Sequence, residues 1–143
     1  MTVKQLSIFL ENKLGRLAEV SSTLGRYGIN IRALSIADTA NFGILRLIVN
    51  NPAEAYQVLK NSGFTVSETD VIAAEIEDSP GGLGKILTLM DENDVNIEYL
   101  YAFLEKKTAQ ALVVFRVENI DKATHILQTN GINIFKDSQV YDL

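Results

Sequence analysis

Apolar and polar residues alternate from Gln5 to Leu10, with Leu6, Ile8 and Leu10 on one side and Gln5 and Ser7 on the other, the period of a strand buried on one face. The spacing then lengthens. Leu17, Val20, Leu24 and Tyr27 recur at helical intervals, and Gly28 ends the predicted helix. "INIRALSI" and "FGILRLIV" are rich in β-branched residues and read as strands joined by the turn "ADTAN", after which Ala55, Val58 and Leu59 mark a second helix and "FTVSE" a last strand. From Ile72 the succession begins again: Ile72, Ala74 and Ile76 alternate, and Leu83, Ile86, Leu87 and Met90 are helically spaced. "NIEYLYAFL" and "ALVVFRV" are strands, Ala123, Ile126 and Leu127 mark a helix, and "INIFK" reads as a short final strand.

The second succession is a copy of the first. Glu11, Gly15, Leu17, Asn30 and Ile31 fall on Glu77, Gly81, Leu83, Asn96 and Ile97, each 66 positions on. Ala55, Leu59 and Gly63 fall on Ala123, Leu127 and Gly131, now 68 positions on. The extra residues belong in the polar stretch "EKKTAQ", as a longer hairpin loop requires, and "TVSETDVIAAEIE" leaves almost no room for a linker between the copies. The chain is therefore expected to hold two βαββαβ units, near residues 1–70 and 71–143. The fold class is α+β: two tandem ferredoxin-like units packed edge to edge, each an antiparallel sheet with its helices on one face.

Such a sheet has a second face to cover. Tyr99, Tyr101 and Phe103 share one side of their strand and Leu100, Ala102 and Leu104 the other, so both sides are apolar. Helices cover one side, and a second sheet, which a partner chain can supply, is expected on the other. A homo-oligomer, first of all a homodimer, that buries Tyr99 and Tyr101 or their strand neighbours follows as an expectation.

Composition narrows the function classes. A net charge of −5 and a pI near 4.8 have the wrong sign for tracking a phosphate backbone, so nucleic acid is not an expected partner. No apolar run approaches a bilayer-spanning length, and the N-terminal stretch lacks a small-residue cleavage site; the expectation is a cytoplasmic protein without a membrane partner. Cysteine is absent, which removes thiolate chemistry and disulfides. The single histidine, His125, stands where the first copy has Gln57 and reads as an ordinary helix position.

One stretch resists a purely structural reading. "EDSPGGLGKI" places Gly81, Gly82 and Gly84 where a helix should begin, although glycine is among the poorest helix formers. Ser79-Pro80 reads as an N-cap followed by proline at the first helical position, and Asn30 and Asn96 read as turn residues after helix ends. Capping alone does not call for three glycines. A glycine turn at a helix start lets another backbone or a ligand approach its free N–H groups.

The strand, the "ENKLGRL" or "EDSPGGLGKI" turn, the helix and the Asn-Ile strand after it resemble the ACT domain, a small ligand-sensing module, in both halves. The most specific part is Asp78-Ser79-Pro80-Gly81-Gly82-Leu83, close to the family's D-x-P-G-x-L pattern, with Asn96 and Ile97 opening the next strand. The first half departs, since Asn12-Lys13-Leu14-Gly15-Arg16-Leu17, followed by Asn30-Ile31, has leucine where the family favours proline. The resemblance implies a small effector, most often an amino acid, bound where two such domains meet side by side. It also implies a regulated enzyme of amino-acid metabolism, here in trans because the repeats use nearly the whole chain.

An amino acid presents a carboxylate and an ammonium together, so its site needs donors and acceptors at once. The expected donors are the N–H groups of Gly81 to Leu83 or of Leu14 to Leu17, and the expected acceptors are Asn12, Asn30, Asn96 or Asp78. Side-by-side packing would bring Asn12 toward Asn96 and Asp78 toward Asn30. Lys13 and Arg16 read as solvated charges within reach of a carboxylate. No cofactor, metal or catalytic residue is assigned. Two rival functions remain. An RNA-binding module needs aromatics on its central strands, where this chain offers Ser7, Phe9, Ala73 and Glu75. A small enzyme on the same fold needs a nucleophile or base cluster, and none is legible.

Overall fold

The computed structural model describes residues 2–38, 41–104 and 110–143. Thr39 and Ala40 of the first hairpin turn, and Glu105 to Ala109 of the expected longer loop, lie outside the described residues.

Local chemistry sets where the helices begin. Asn51 accepts a hydrogen bond from the Glu54 N–H and Pro52 occupies the first turn, which starts α2 (Pro52–Asn61). Asn119 does the same for the Lys122 N–H at the start of α4 (Ile120–Thr129), 68 positions further on. The other pair, α1 (Arg16–Arg26) and α3 (Gly82–Glu92), starts differently: Gly15 and Gly81 are the N-caps, both at φ 87°, with no side-chain cap bond. That backbone region strains any residue with a Cβ. The Ser79 cap expected from the sequence is therefore not the one used, because the glycine after Pro80 turns the chain first.

Strands β1 (Val3–Glu11), β2 (Ile31–Asp38) and β3 (Phe42–Val49) form an antiparallel sheet in which β1 lies between β3 and β4 (Thr65–Ile76). Strand β4 serves both repeats. Its residues Thr65 to Val71 pair with β1, while Ile72 to Ile76 pair with β6 (Ala111–Val117), which in turn pairs with β5 (Ile97–Ala102). The short β7 (Ile134–Phe135) adds to β4, and the strand order is β2-β3-β1-β4-β6-β5. The ends of that order meet, because Ala33 bridges Phe103 and the Leu104 N–H donates to the Arg32 carbonyl at 3.0 Å.

Alternation along the strands distributes the core. Leu6, Ile8, Leu45 and Leu47 face Val20, Leu24 and Leu59 of α1 and α2, and Ile72, Ala74, Val113 and Phe115 face Ile86, Met90 and Leu127 of α3 and α4. Each helix pair thus covers one face of its own sheet, as the ferredoxin-like pattern requires. Residues of opposite parity from both repeats (Val3, Ile48, Val71, Ala73, Tyr101 and Val114) form a third cluster, closed by Val140 of the terminal helix α5 (Asp137–Tyr141).

Here the sequence expectation needs correcting. Tyr101 is buried within the single chain, and Gln5 of the first repeat is the polar residue against it. The second sheet that covers the tyrosines is supplied by the same chain, since each repeat leaves one apolar face bare and β4 folds them onto each other.

Candidate functional site

Two related clefts lie at the helix starts that follow the glycine turns, where Gly82 lines one and Arg16 the other. In the second repeat a cleft of about 660 Å³ is bounded by Glu75 to Glu77 at the end of β4, Gly82 to Glu92 along α3, Gln110, and Asn130 to Asn133. In the first repeat a cleft of about 490 Å³ is bounded by Phe9 to Glu11, Arg16, Glu19, Phe42, and Ser62 to Thr65. Position by position these are the same place, at the 66- and 68-residue offsets of the repeat.

Their chemistry differs. Glu75 stands for Phe9, Lys85 for Glu19, Gln110 for Phe42 and Asn133 for Thr65. The second cleft pairs an apolar floor of Ile76, Ile86, Leu89 and Ile132 with three carboxylates, one ammonium and several amides. The Asn133 side chain donates to Glu75, and Gln110 Oε1 accepts from the Asp78 N–H at 3.3 Å, so the rim is held by its own hydrogen bonds. These polar residues were not singled out from the sequence. The available signal was the set of positions where the two copies disagree in charge, since agreement mostly reports the shared fold.

The glycine turn itself is now explicable residue by residue. Gly81 supplies the left-handed N-cap. Gly82 is buried against Glu77, whose carbonyl oxygen would lie 1.9 Å from an added Cβ, so the close approach it permits is by the chain's own backbone. The Gly82 N–H donates to the Ser79 carbonyl at 3.0 Å, as Arg16 N–H does to Lys13 at 3.3 Å. That leaves the N–H groups of Leu83 and Gly84 as the ones without an acceptor inside the helix.

The remaining expected residues scatter. Asn30 exchanges bonds with Asn50: its N–H donates to Asn50 Oδ1 at 2.9 Å, and its carbonyl accepts from the Asn50 N–H at 3.1 Å. Asn96 lines a cavity of about 590 Å³ with Thr2 and Asp70, at the end of β1 away from Asn12. Asn12 donates its N–H to the Asn41 carbonyl at 2.9 Å. Ile31 and Ile97 open β2 and β5 as half-buried strand residues opposite Val49 and Val117. Leu83 packs on the second core, while Leu14, Leu17 and Pro80 are exposed. Within a repeat, the Asn and the glycine turn lie at opposite ends of an 11-residue helix, roughly 16 Å apart along its axis.

Lys13 and Arg16 are paired with carboxylates. Lys13 lies 2.7 Å from Glu11, and Arg16 lies 3.1 Å from Glu19 and 3.9 Å from Glu11. The hydrogen bond from Lys13 holds the Glu11 carboxyl below its ordinary range. Among the described residues, no group of three or more His, Asp or Glu is placed to hold a metal, and no helix is long and apolar enough to cross a membrane.

Comparison with known proteins gives a family. The model of the ACT domain pair matches residues 1–143. The crystal structure of protein BT0572 from Bacteroides thetaiotaomicron is 44% identical, with a TM-score of 0.93 over 100% of this chain and 98% of that one. The ligand-free regulatory subunit of aspartate kinase from Thermus thermophilus shares the fold, with a TM-score of 0.66 and 14% identity over 92% of this chain and 94% of that one. The corresponding subunit from Thermus flavus gives 0.63 and 15% over 90% and 92%. No curated protein matches.

Proposed function

The chain belongs to the ACT domain pair family, and from that premise we propose that it is a regulatory protein, not an enzyme, that binds an amino acid or similar small zwitterion and modulates an enzyme of amino-acid metabolism in trans. Its repeats divide near residues 70 and 71, and its place of action is the cytoplasm. The observation that carries this reading is the second cleft, which joins Gly82 at the start of α3 to an apolar floor and to charges of both signs. A carboxylate has the Lys85 ammonium near the start of α3 as its donor, helped by the positive end of that helix. An ammonium has the carboxylates of Glu75, Glu77 and Glu92. An aliphatic side chain has Ile76, Ile86, Leu89 and Ile132.

The aspartate kinase regulatory subunits share this fold, which makes an allosteric role in an amino-acid pathway the natural comparison. Assembly as a homodimer belongs to the same reading, with the exposed Leu34 and Ile36 of β2 as its motive in place of the tyrosines.

A thermal-shift series over the twenty amino acids tests the proposal, since a ligand at 100 times its Kd adds about 2.7 kcal/mol of stability. Calorimetry then compares Lys85→Met with Asn96→Ala. Loss of affinity in the first alone places the effector in the cleft. Loss in the second alone moves it to the start of β5. A wild type that responds to no amino acid overturns the effector class.

A further inference from the structure

The two repeats disagree in kind along one row of residues that crosses their sheets. In the first, strand register sets Ser35 opposite Arg46, Arg46 opposite Ser7, and Ser7 opposite Ser67. In the second, the same positions hold Tyr101 opposite Val114, Val114 opposite Ala73, and Ala73 opposite Phe135, at the 66- and 68-residue offsets of the repeat. Those second-repeat residues all belong to the third core cluster or pack on it, whereas Ser35, Arg46 and Ser7 are half-buried and Ser67 is exposed. Directly paired residues share one face of a sheet, with side chains rooted about 5 Å apart. A guanidinium and its flanking hydroxyls thus stand in line where the other repeat is apolar.

The row faces the second repeat, because Gln5, on the same side of β1 as Ser7, bonds to Tyr99 and Tyr101. Arg46 lies 3.8 Å above the Tyr99 ring. Such stacking holds one face of the guanidinium and leaves its N–H edge free to donate. Among the described residues no carboxylate pairs with Arg46, although Lys4, Lys13, Arg16 and Arg116 each find one. Ser7 Oγ accepts from Gln5 Nε2 at 3.1 Å, which leaves its own O–H to donate elsewhere. Beside the row is a hollow of about 250 Å³, lined by Ser7, Ser67, Phe9, Ile44, Thr65 and Val66.

A guanidinium fork between hydroxyl donors, with no carboxylate to satisfy it, suits an anion that carries several acceptor oxygens. A phosphoryl group brings three such oxygens and a charge of about −1.5 to −2 at neutral pH, more than a carboxylate supplies. We propose that the inner face of the first repeat's sheet holds a phosphoryl-binding site at Ser35, Arg46 and Ser7, with Ser67 at its rim. The phosphoryl group is either free phosphate or a small monoester whose organic part enters the hollow beside Phe9. The site is separate from the cleft of the second repeat and does not depend on the effector proposed there.

Amide NMR on the full chain tests the site with inorganic phosphate and phenyl phosphate as probes, and with acetate and chloride at matched ionic strength as controls. Phosphate is expected to shift the amides of Ser7, Ser35 and Arg46 saturably, with Kd at least fivefold lower than for acetate and no saturable shift from chloride. Tighter binding of phenyl phosphate than of inorganic phosphate identifies a monoester site, the reverse order identifies a site for the free ion, and either order supports the proposal. Arg46→Met keeps an unbranched chain over Tyr99 and should raise the phosphate Kd tenfold or more. Ser35→Ala, which leaves that stack intact, should raise it threefold or more. The dispersion of the spectra reports that each variant is folded. The proposal is overturned if acetate or chloride moves these amides as phosphate does, if phosphate moves only the amides around Lys85, or if a folded variant at either position binds phosphate as tightly as the wild type.

Discussion

The hydroxyl of Tyr101 donates a 2.6 Å hydrogen bond to Oε1 of Gln5, joining the second repeat to the first inside the third core cluster. Gln5 is fully buried, and its Nε2 donates to the Tyr99 hydroxyl at 2.8 Å and to Ser7 Oγ at 3.1 Å. Arg46 stacks over the Tyr99 ring at 3.8 Å. A buried amide with this many partners fixes how the sheets sit on each other, because sliding them breaks several bonds at once.

Gln5→Leu should therefore destabilise the fold by about 1–3 kcal/mol, chiefly by leaving the Tyr101 hydroxyl buried without an acceptor. Adding Tyr101→Phe removes that orphan, so the double variant should lose less than the two single losses combined. A urea-unfolding cycle checks this, with a coupling of about 0.5–3 kcal/mol expected for residues in contact. Strict additivity would mean that the hydrogen bond does not hold the repeats together.

The glycine turn gives a contrast between neighbours. Gly82→Ala forces a Cβ into the Glu77 carbonyl and should cost about 1–3 kcal/mol, whereas nothing in the described chain lies within 4 Å of a Cβ at Gly84. Gly84→Ala should stabilise α3 by up to about 1 kcal/mol through helix propensity. Denaturation midpoints decide it. Equal effects at both positions would show that the turn, and not the contact with Glu77, demands glycine.

What could be read from the sequence follows from what repeats in it. The strands and long helices were legible because their apolar period is carried twice. The glycine turns were legible because the same residue type recurs 66 positions apart. The helix α5 was not: five residues give too little period to detect, and Val140 is fully buried only because both repeats lend it a surface. The mutual covering of the two sheets was likewise hidden, since the apolar face of Tyr99 and Tyr101 states that a cover exists and not which chain supplies it. For the candidate site, the turn was visible and the rim was not, because Glu75, Lys85 and Gln110 look like ordinary surface residues until the fold gathers them.

Stability should fall at both ends of the pH scale, by different groups. The hydrogen bond from Lys4 at 2.5 Å holds the Asp70 carboxyl below its ordinary range, so its contribution is present above about pH 4 and is lost as pH falls through the depressed value. Burial raises Tyr101 and Tyr141, whose contribution is present below about pH 10 and is lost as the unfolded chain begins to ionise above it. Melting temperature against pH should show a plateau between these limits. Asp70→Asn should soften the acid limb only slightly, by about 0–1 kcal/mol, because the pair is 45% and 43% exposed. Tyr101→Phe should soften the alkaline limb. An alkaline limb unchanged in that variant would assign it to Tyr141 or Lys4.

Asp94 sits at φ 57°, in the place that Gly28 occupies in the first repeat at φ 68°. The hydrogen bonds around the two are the same: Gly28 N–H donates to Gly25 and Ile29 N–H to Leu24, while Asp94 N–H donates to Asp91 and Val95 N–H to Met90. The first repeat thus ends its helix with the residue that suits the left-handed region, and the second uses one that tolerates it at a cost of about 1 kcal/mol. Asp94→Gly should raise stability by a few tenths to about 1 kcal/mol, the relief of strain being partly offset by the greater freedom of glycine in the unfolded chain. Asp94→Ala should lower it, since alanine inherits the strain without the local hydrogen bonding of an aspartate. Thermal unfolding of the two variants side by side tests the assignment. If glycine destabilises as alanine does, the carboxylate contributes more to the helix end or to the cavity it lines with Asn96 than the backbone strain takes away.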